Sequence, residues 1–600
     1  MKRKLWLVLA LTLAVFPSAR AQVATVEENG YLAARDGTRL RYNVVRPAEG
    51  GPSPVLINYE GYAAGTDAAD NGVATYIDRL LERGYAVMGV SVRGTGCSEG
   101  AFDPFASTMG QDGYDAVEWA ADQPWSDGRV GMIGVSFGGI TQLLTAAQRP
   151  PSLRAIAPSS ALGDLYRDVA WPGGALEYDF PFAWTAVQKE GGTVAAPQAA
   201  LAGDTDCLGN YVSHESVNIP DYFIPRLILE HPYDDDVFGD ESWNDRAPEN
   251  GFPLIEVPTF LFNAWQDEQL PARIWGAYER FAHPSLLWVN VSNGNHGRDY
   301  YSSIAQDLTL DFLDRFVRDI DNGFEDSQPH VQIWMESAIA RDGDTNVPAW
   351  SIDLPGQPAP TPTALYLRAG GLLSGSAPTD AEAGDPYLYP LPSPDVLEPG
   401  LVLNGRTTGQ LTWKVPVPPG GAVAYTTDAL ASDLVLAGPA SLDLWMTTTG
   451  PDTDLQVTVT EVRPDGQETY VQRGWLRASH RALDEARSTA LRPYHTHLRG
   501  DASELVPGEP TFMRLEVFPF AHAFRAGSRL RVWIEAPTGH TGFWAFAPVF
   551  PPGVNTVLHD AEHPSRLVVG VLAGEEAEAP SPACDTLRNQ PCRTDPLGGS

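Results

Sequence analysis

Positive charge is scarce in this chain of 600 residues: 41 Lys and Arg stand against 76 Asp and Glu, a formal net charge of −35. A surface of that sign repels phosphate backbones and anionic lipid heads, which excludes nucleic acid as an expected partner. After Phe16 no apolar run approaches the roughly 20 residues that span a bilayer. Metal patterns are missing as well, with no H-E-x-x-H and no paired C-x-x-C. Asp234-Asp235-Asp236 lacks calcium-loop spacing, and Arg93-Gly94-Thr95-Gly96 does not open a dinucleotide fingerprint. The sequence thus calls for no metal and no cofactor. It contains no internal repeat. Cysteines number only four, and an even count in an exported protein permits two disulfides in any of three pairings. The expected pairs are Cys584–Cys592, close together in a polar tail, and Cys97–Cys207; free buried thiols are the alternative.

The amino terminus carries Lys2, Arg3 and Lys4, then the apolar run Leu5 to Phe16, then Ala19-Arg20-Ala21. This order reads as a signal peptide, residues 1–21, cleaved after Ala21. A buried N-terminal helix is the alternative. No cysteine follows the run, so a lipoprotein anchor is not expected. The mature chain is expected in the periplasm or outside the cell, off the membrane.

A composition of 43% hydrophobic and 20% charged residues fits a globular protein with a sizeable core. At about 150 residues per domain, the length exceeds one domain. Tyr31 to Leu40 reads as a β-hairpin turning at Asp36-Gly37. Short apolar strands at Pro54–Ile57, Tyr85–Val90, Val130–Val135 and Ala155–Ala157 alternate with helices over Thr75–Arg83, Asp112–Ala121 and Ile140–Gln148. This alternation indicates a buried parallel sheet. It resumes with strands Thr259–Phe262 and Leu286–Val291 and helices near Arg273–Ala282 and Ala305–Asp319. Between lie residues 161–250, rich in aromatics, Asp and Pro, which fit a helical cap. Pro355, Pro358, Pro360 and Pro362 mark a linker into a half made of strands and turns, among them Leu455–Val462 and Glu468–Trp475 around Pro464-Asp465-Gly466. The reading is an α/β-hydrolase domain in two parts (22–160 and 251–345) with the cap (161–250) inserted. A C-terminal β-sandwich of jelly-roll type (346–575) and a polar tail with the cysteine pair (576–600) follow.

Gly134-Val135-Ser136-Phe137-Gly138-Gly139 sits between a strand and a helix, the setting that gives G-x-S-x-G its meaning. The glycines allow a sharp turn, and the serine stands where helix N–H groups favour negative charge. A glycine-rich surface turn is the bland alternative. A serine nucleophile needs a base, and the base an orienting carboxylate, in the order Ser, Asp or Glu, His. Asp267 follows the strand Thr259–Phe262, and His296 follows the strand ending at Val291. Glu268 is the alternative carboxylate. Of the other histidines, His283 precedes its strand beside Pro284, His214 and His231 fall in the cap, and those from His330 onward belong to the linker or β half. The Phe137 backbone N–H is the expected first oxyanion donor. A second is expected from Asn58-Tyr59-Glu60-Gly61-Tyr62, where a tyrosine hydroxyl can donate as well as an amide.

Taken together these residues resemble the cocaine esterase-like (CocE/NonD) hydrolase family, related to the X-prolyl dipeptidyl peptidases and α-amino acid ester hydrolases. Matching stretches include Arg35-Asp36-Gly37, Arg93-Gly94-Thr95-Gly96, Pro124-Trp125, Ala157-Pro158-Ser159 and Asp164-Leu165-Tyr166-Arg167. Pro172-Gly173-Gly174-Ala175-Leu176, Pro464-Asp465-Gly466 and His563-Pro564-Ser565 match too, so the likeness runs over nearly the whole mature chain. The resemblance implies a catalytic α/β domain with helical cap and C-terminal jelly roll, and a triad falling on Ser136, His296 and Asp267. It implies Tyr62 as the oxyanion tyrosine, with Tyr59 the alternative, and aromatic acyl-pocket residues at Trp171, Trp184, Trp265 and Phe137. Ordinary core packing is the competing role for these aromatics. The amino acid ester hydrolases carry acids two and three residues after the triad aspartate; here Gln269 and Leu270 stand there, against selectivity for a substrate amine. The expected activity is therefore an exported serine hydrolase of small esters or activated amides. An X-prolyl dipeptidyl peptidase acting on short peptides and a non-catalytic cell-wall or glycan binder are the alternatives.

Overall fold

The computed structural model describes residues 23–598 apart from 68–72, 74–75, 183, 185–202, 219–222, 298–299, 340–345, 392–416, 538–543 and 547–550. The expected signal peptide, residues 1–21, lies outside the described residues.

A ten-stranded sheet forms the frame of the catalytic half. Its strands in chain order are β1 (Thr25–Ala33), β2 (Arg39–Pro47), β3 (Ser53–Glu60), β4 (Ala86–Ser91) and β5 (Ser126–Val135). Then come β6 (Leu153–Ser159), β7 (Thr259–Ala264), β8 (Leu287–Ser292), β9 (Val331–Met335) and β10 (Trp350–Leu354). The spatial order is β1-β2-β4-β3-β5-β6-β7-β8-β9-β10, with every pair from β4 to β9 parallel. The strands β3, β4, β7 and β8 are buried along their whole length. They carry near-continuous apolar runs because helices cover both faces. Within β3, Val55 and Ile57 join the core under helices α2 (Ser107–Ala121) and α3 (Phe137–Ala147). Leu56 instead joins the opposite core with α1 (Ile77–Glu82). The period-2 alternation of a strand thus feeds two cores from one sheet.

Two expectations are corrected. The α/β half was expected to end at 345, but β10 pairs antiparallel with β9, so the sheet extends to Leu354 and stops at Pro355. As an edge strand β10 is only half buried, and an alternating pattern of five residues does not stand out in sequence. The segment expected as a polar tail is stitched into the β domain, with Thr469 paired to Cys592 and Gln467 to Thr594.

The cap contributes helices α4 (Thr205–Asn218) and α5 (Phe223–Glu230), with Tyr166, Trp171, Leu227, Ile228 and Trp243 packed together. A disulfide from Cys97 to Cys207 ties it to the loop after β4, and Cys584 is bonded to Cys592. Helix α6 (Ser303–Phe316) covers the α1 face. The C-terminal domain is β-rich, built on long antiparallel strands such as Leu434–Thr448 with Thr511–Phe524. Asp454–Val462 pairs with Gln467–Arg477 across the turn at Pro464-Asp465-Gly466, where Gly466 takes a left-handed φ of 79°. Its core includes Leu442, Val457, Phe520, Val532 and Ile534. Among the described residues no helix is long and apolar enough to cross a membrane.

One buried cation links three parts of the chain. Arg273, following β7, donates from Nη1 to Asp168 of the cap at 3.0 Å and from Nε to Glu516 of the β domain at 2.9 Å. All three side chains are buried. Removing one member of a buried ionic set costs about 3–5 kcal/mol, because the charges left behind stay desolvated. Arg273→Met is accordingly expected to lower the urea midpoint well below the parent's. A midpoint equal to the parent's would show that this link carries no stability.

Candidate active site

Ser136 joins β5 to α3 with φ 61° and ψ −120°, a conformation that costs a non-glycine residue about 1–3 kcal/mol. The surrounding backbone holds it there. Ser136 N donates to Ser159 O at 2.9 Å, and Ser136 O accepts from Gly139 N at 2.9 Å and Ile140 N at 3.0 Å. A Cβ on Gly139 would lie 2.4 Å from Ser159 O, so helix and strand approach this closely only because residue 139 is glycine. The Ser136 side chain is thereby presented at the N-terminus of α3, the positive end of the helix dipole.

Because β5, β7 and β8 run parallel, their C-terminal ends share one edge of the sheet, and the loops after them carry Ser136, Asp267 and His296. The Asp267 carboxylate has no exposed surface. Its Oδ1 accepts from the backbone of Gln269 and Leu270, both at 2.8 Å. His296 Nδ1 lies 2.8 Å from Oδ2 and 3.0 Å from Oδ1. A carboxylate partner assigns the proton to Nδ1 and leaves Nε2 as the basic nitrogen. Burial alone lowers the His296 pKa, but the charge and hydrogen bond of Asp267, joined by the charge of Glu268, outweigh it and hold it above the ordinary value. The next residue, Gly297, donates its N–H to Ser160 Oγ at 3.0 Å. A Cβ on Gly297 would lie 3.2 Å from Val135, the neighbour of Ser136, so the histidine loop lies against the serine turn.

Glu268, the alternative carboxylate, turns to the backbone instead: its Oε2 accepts from His296 N at 3.1 Å. Burial, then the charge of Asp267, push its pKa up to about 7. Tyr62 accepts from Trp184 Nε1 at 3.1 Å, and its phenol is near enough to Ser136 to feel that side chain electrostatically. Burial pushes the Tyr62 phenol up to about 12, so it keeps its proton at neutral pH. Its loop is shaped by the buried Glu60 carboxylate, which accepts from the backbone of Tyr62, Ala63 and Ala64 at 3.0, 3.1 and 2.7 Å. Tyr59 is fully buried in the core beneath α2 and α3.

An apolar cavity of about 530 Å³, counting its open mouth, contains Ser136. Phe105, Phe137, Leu162, Trp184, Leu227 and Leu270 help line it, and no charged side chain is in its described wall. Trp184 stacks on Phe137 with ring centroids 5.7 Å apart. The other two expected tryptophans stand off this wall. Trp171 is buried within the cap, donating to Ile228 O at 3.3 Å. Trp265 packs edge-on against Trp275 at 5.0 Å and faces the β domain. Phe105, Leu162 and Leu227 carry no sequence signal beyond ordinary hydrophobicity. Asp234 is buried in an ion pair with Arg167 at 3.0 Å, and Asp236 pairs with Arg499. Among the described residues no group of three or more His, Cys, Asp or Glu is placed to hold a metal ion.

Comparison with known proteins gives a consistent picture. A family model described as X-Pro dipeptidyl-peptidase (S15 family) matches residues 36–298. A second, the X-Pro dipeptidyl-peptidase C-terminal non-catalytic domain, matches residues 322–568. The chain is 25% identical to a cocaine esterase of Rhodococcus sp. over 91% of its own length and 99% of that protein's. It is 26% identical to a putative serine esterase of Mycobacterium bovis over 82% of its length and 84% of that protein's. A solved CocE/NonD family hydrolase from Staphylococcus aureus superposes with a TM-score of 0.72 at 22% identity, covering 91% of this chain and 94% of that one.

The His296 environment has a measurable consequence. Histidine-selective NMR, assigned with His296→Gln, is expected to show this imidazole titrating above the ordinary value of about 6.5. A midpoint at or below that value would mean that burial outweighs the carboxylates.

Proposed function

The chain belongs to the S15 family of serine hydrolases, the family of X-Pro dipeptidyl peptidases and cocaine esterase-like enzymes, and from that premise we propose an exported enzyme cleaving esters or activated amides through Ser136, His296 and Asp267. The observation that carries this reading is the strained Ser136, with a protonated Tyr62 near it, beside a histidine loop whose imidazole is held by Asp267. Ser136 Oγ attacks the carbonyl carbon and passes its proton to His296 Nε2. The charge on the carbonyl oxygen falls to the Tyr62 hydroxyl and the Phe137 N–H. The alcohol or amine leaves with the proton from His296. Water, activated by the same nitrogen, then releases the acid from Ser136.

The uncharged wall around Ser136 supports an apolar acyl group in place of a substrate amine. Leu270 stands in that wall, where the α-amino acid ester hydrolases carry an acid. Membership of a hydrolase family sets aside the reading as a non-catalytic binder. Two disulfides support an oxidising destination. The chain is accordingly read as periplasmic or secreted, and the first residue of the mature protein checks the cut after Ala21.

A fluorophosphonate probe should label the parent and leave Ser136→Ala unlabelled; equal labelling of both sinks the assignment. Simple esters with apolar acyl groups should be turned over with higher kcat/KM than a Gly-Pro anilide. The reverse order would make the chain an X-prolyl dipeptidyl peptidase.

A further inference from the structure

The end of the chain returns to the loops that carry Asp267 and His296. Cys584 and Cys592 close a short loop by their disulfide. Inside it, Asn589 Nδ2 donates to Gln266 O at 2.7 Å and to Glu268 Oε2 at 3.0 Å. That same oxygen accepts the His296 backbone N–H, so one carboxylate joins Asn589 to the histidine. Arg588 Nη1 donates to Asn295 Oδ1 at 3.2 Å, and Arg588 O accepts from Asn293 Nδ2 at 3.4 Å. The other end of the loop is fixed to the β domain. Gln590 Nε2 donates to Tyr470 O at 3.3 Å, and Arg593 Nε donates to Glu468 Oε2 at 2.9 Å. Arg588, Asn589 and Gln590 are all buried. Both matched family models end before this segment, the later one at residue 568.

We propose that the disulfide-closed loop from Cys584 to Cys592 is a positioning element for the hydrolytic site. Asn589 is its positioning residue, keeping Glu268 on the His296 backbone and so the imidazole on Asp267. The proposal rests on the reading of Ser136, His296 and Asp267 as the catalytic set. Three features make the loop suited to this. Its disulfide and its pairing with Gln467–Thr469 fix both of its flanks. Its contacts reach both catalytic loops at once. Asn589 adopts φ 54°, a left-handed conformation that Asn and Gly tolerate and most residues resist.

That last point selects the variants. Asn589→Gly removes the amide without straining the backbone, and Asn589→Asp keeps the shape but replaces the donor with an acceptor facing Glu268. Displacement of a catalytic group by about 1 Å costs up to about 100-fold in rate. Both variants are expected to lose about 10- to 100-fold in kcat, with KM for an apolar ester within about twofold because the acyl wall is built elsewhere. The Cys584→Ser/Cys592→Ser double variant should lose kcat in the same direction by a smaller factor. Parent-like kcat in Asn589→Asp, or a loss expressed in KM with kcat intact, overturns the proposal. Ser136→Ala run in parallel separates the two readings. If it is inactive while Asn589→Gly keeps the parent kcat, the loop's role alone falls; if it stays active, the catalytic assignment falls and the loop's role with it.

Discussion

A carboxylate with no access to water sits at the centre of this site, and the surrounding loops are shaped around the donors that meet it. Burying a carboxyl group without hydrogen-bond partners is costly, so Asp267 has to be met by donors. Two backbone N–H groups and one imidazole supply them. Those donors come from the loop after β7 and the loop after β8, whose spacing is set by parallel pairing that runs to Ala264 and Ser292. Burial, and after it the charge of Asp267, push the pKa of the adjacent Glu268 up to about 7. Two neighbouring carboxyl groups thereby take different tasks, one on the ring of His296 and one on its backbone.

The same logic of shared charge extends between domains. Arg273 answers Asp168 of the cap and Glu516 of the β domain, so the catalytic half, its cap and the C-terminal domain meet on one guanidinium. The apolar cavity at Ser136 lies at one of these junctions, with Leu227 from the cap and Leu270 from the catalytic half in its wall. Trp184 reaches from the cap to the Tyr62 hydroxyl, joining the cavity wall to the loop after β3.

Much of this was legible in the amino-acid sequence, for physical reasons. Continuous apolar strands such as Val55-Leu56-Ile57 announce a sheet covered on both faces, and the strand–turn–helix setting of Ser136 is local. Asp267 and His296 stood out because each closely follows such a strand, and the structure brings them together. The edge strand at Trp350–Leu354 stayed hidden because half-burial over five residues leaves little pattern. The cavity wall was illegible for a different reason. Phe105 and Leu162 are ordinary apolar residues until folding turns them toward Ser136, whereas Trp171 and Trp265, expected there from the family resemblance, go to packing. Asn589 left no local signal, since its partners lie about three hundred residues earlier.

That distance in sequence has a consequence for biosynthesis. Arg588 and Asn589 are synthesised about three hundred residues after the loops they hold, and their own loop is closed by the Cys584–Cys592 disulfide. The sheet, the serine turn and both catalytic loops are made long before. Until that later segment has been made, the loops after β7 and β8 lack the contacts that Arg588 and Asn589 give them.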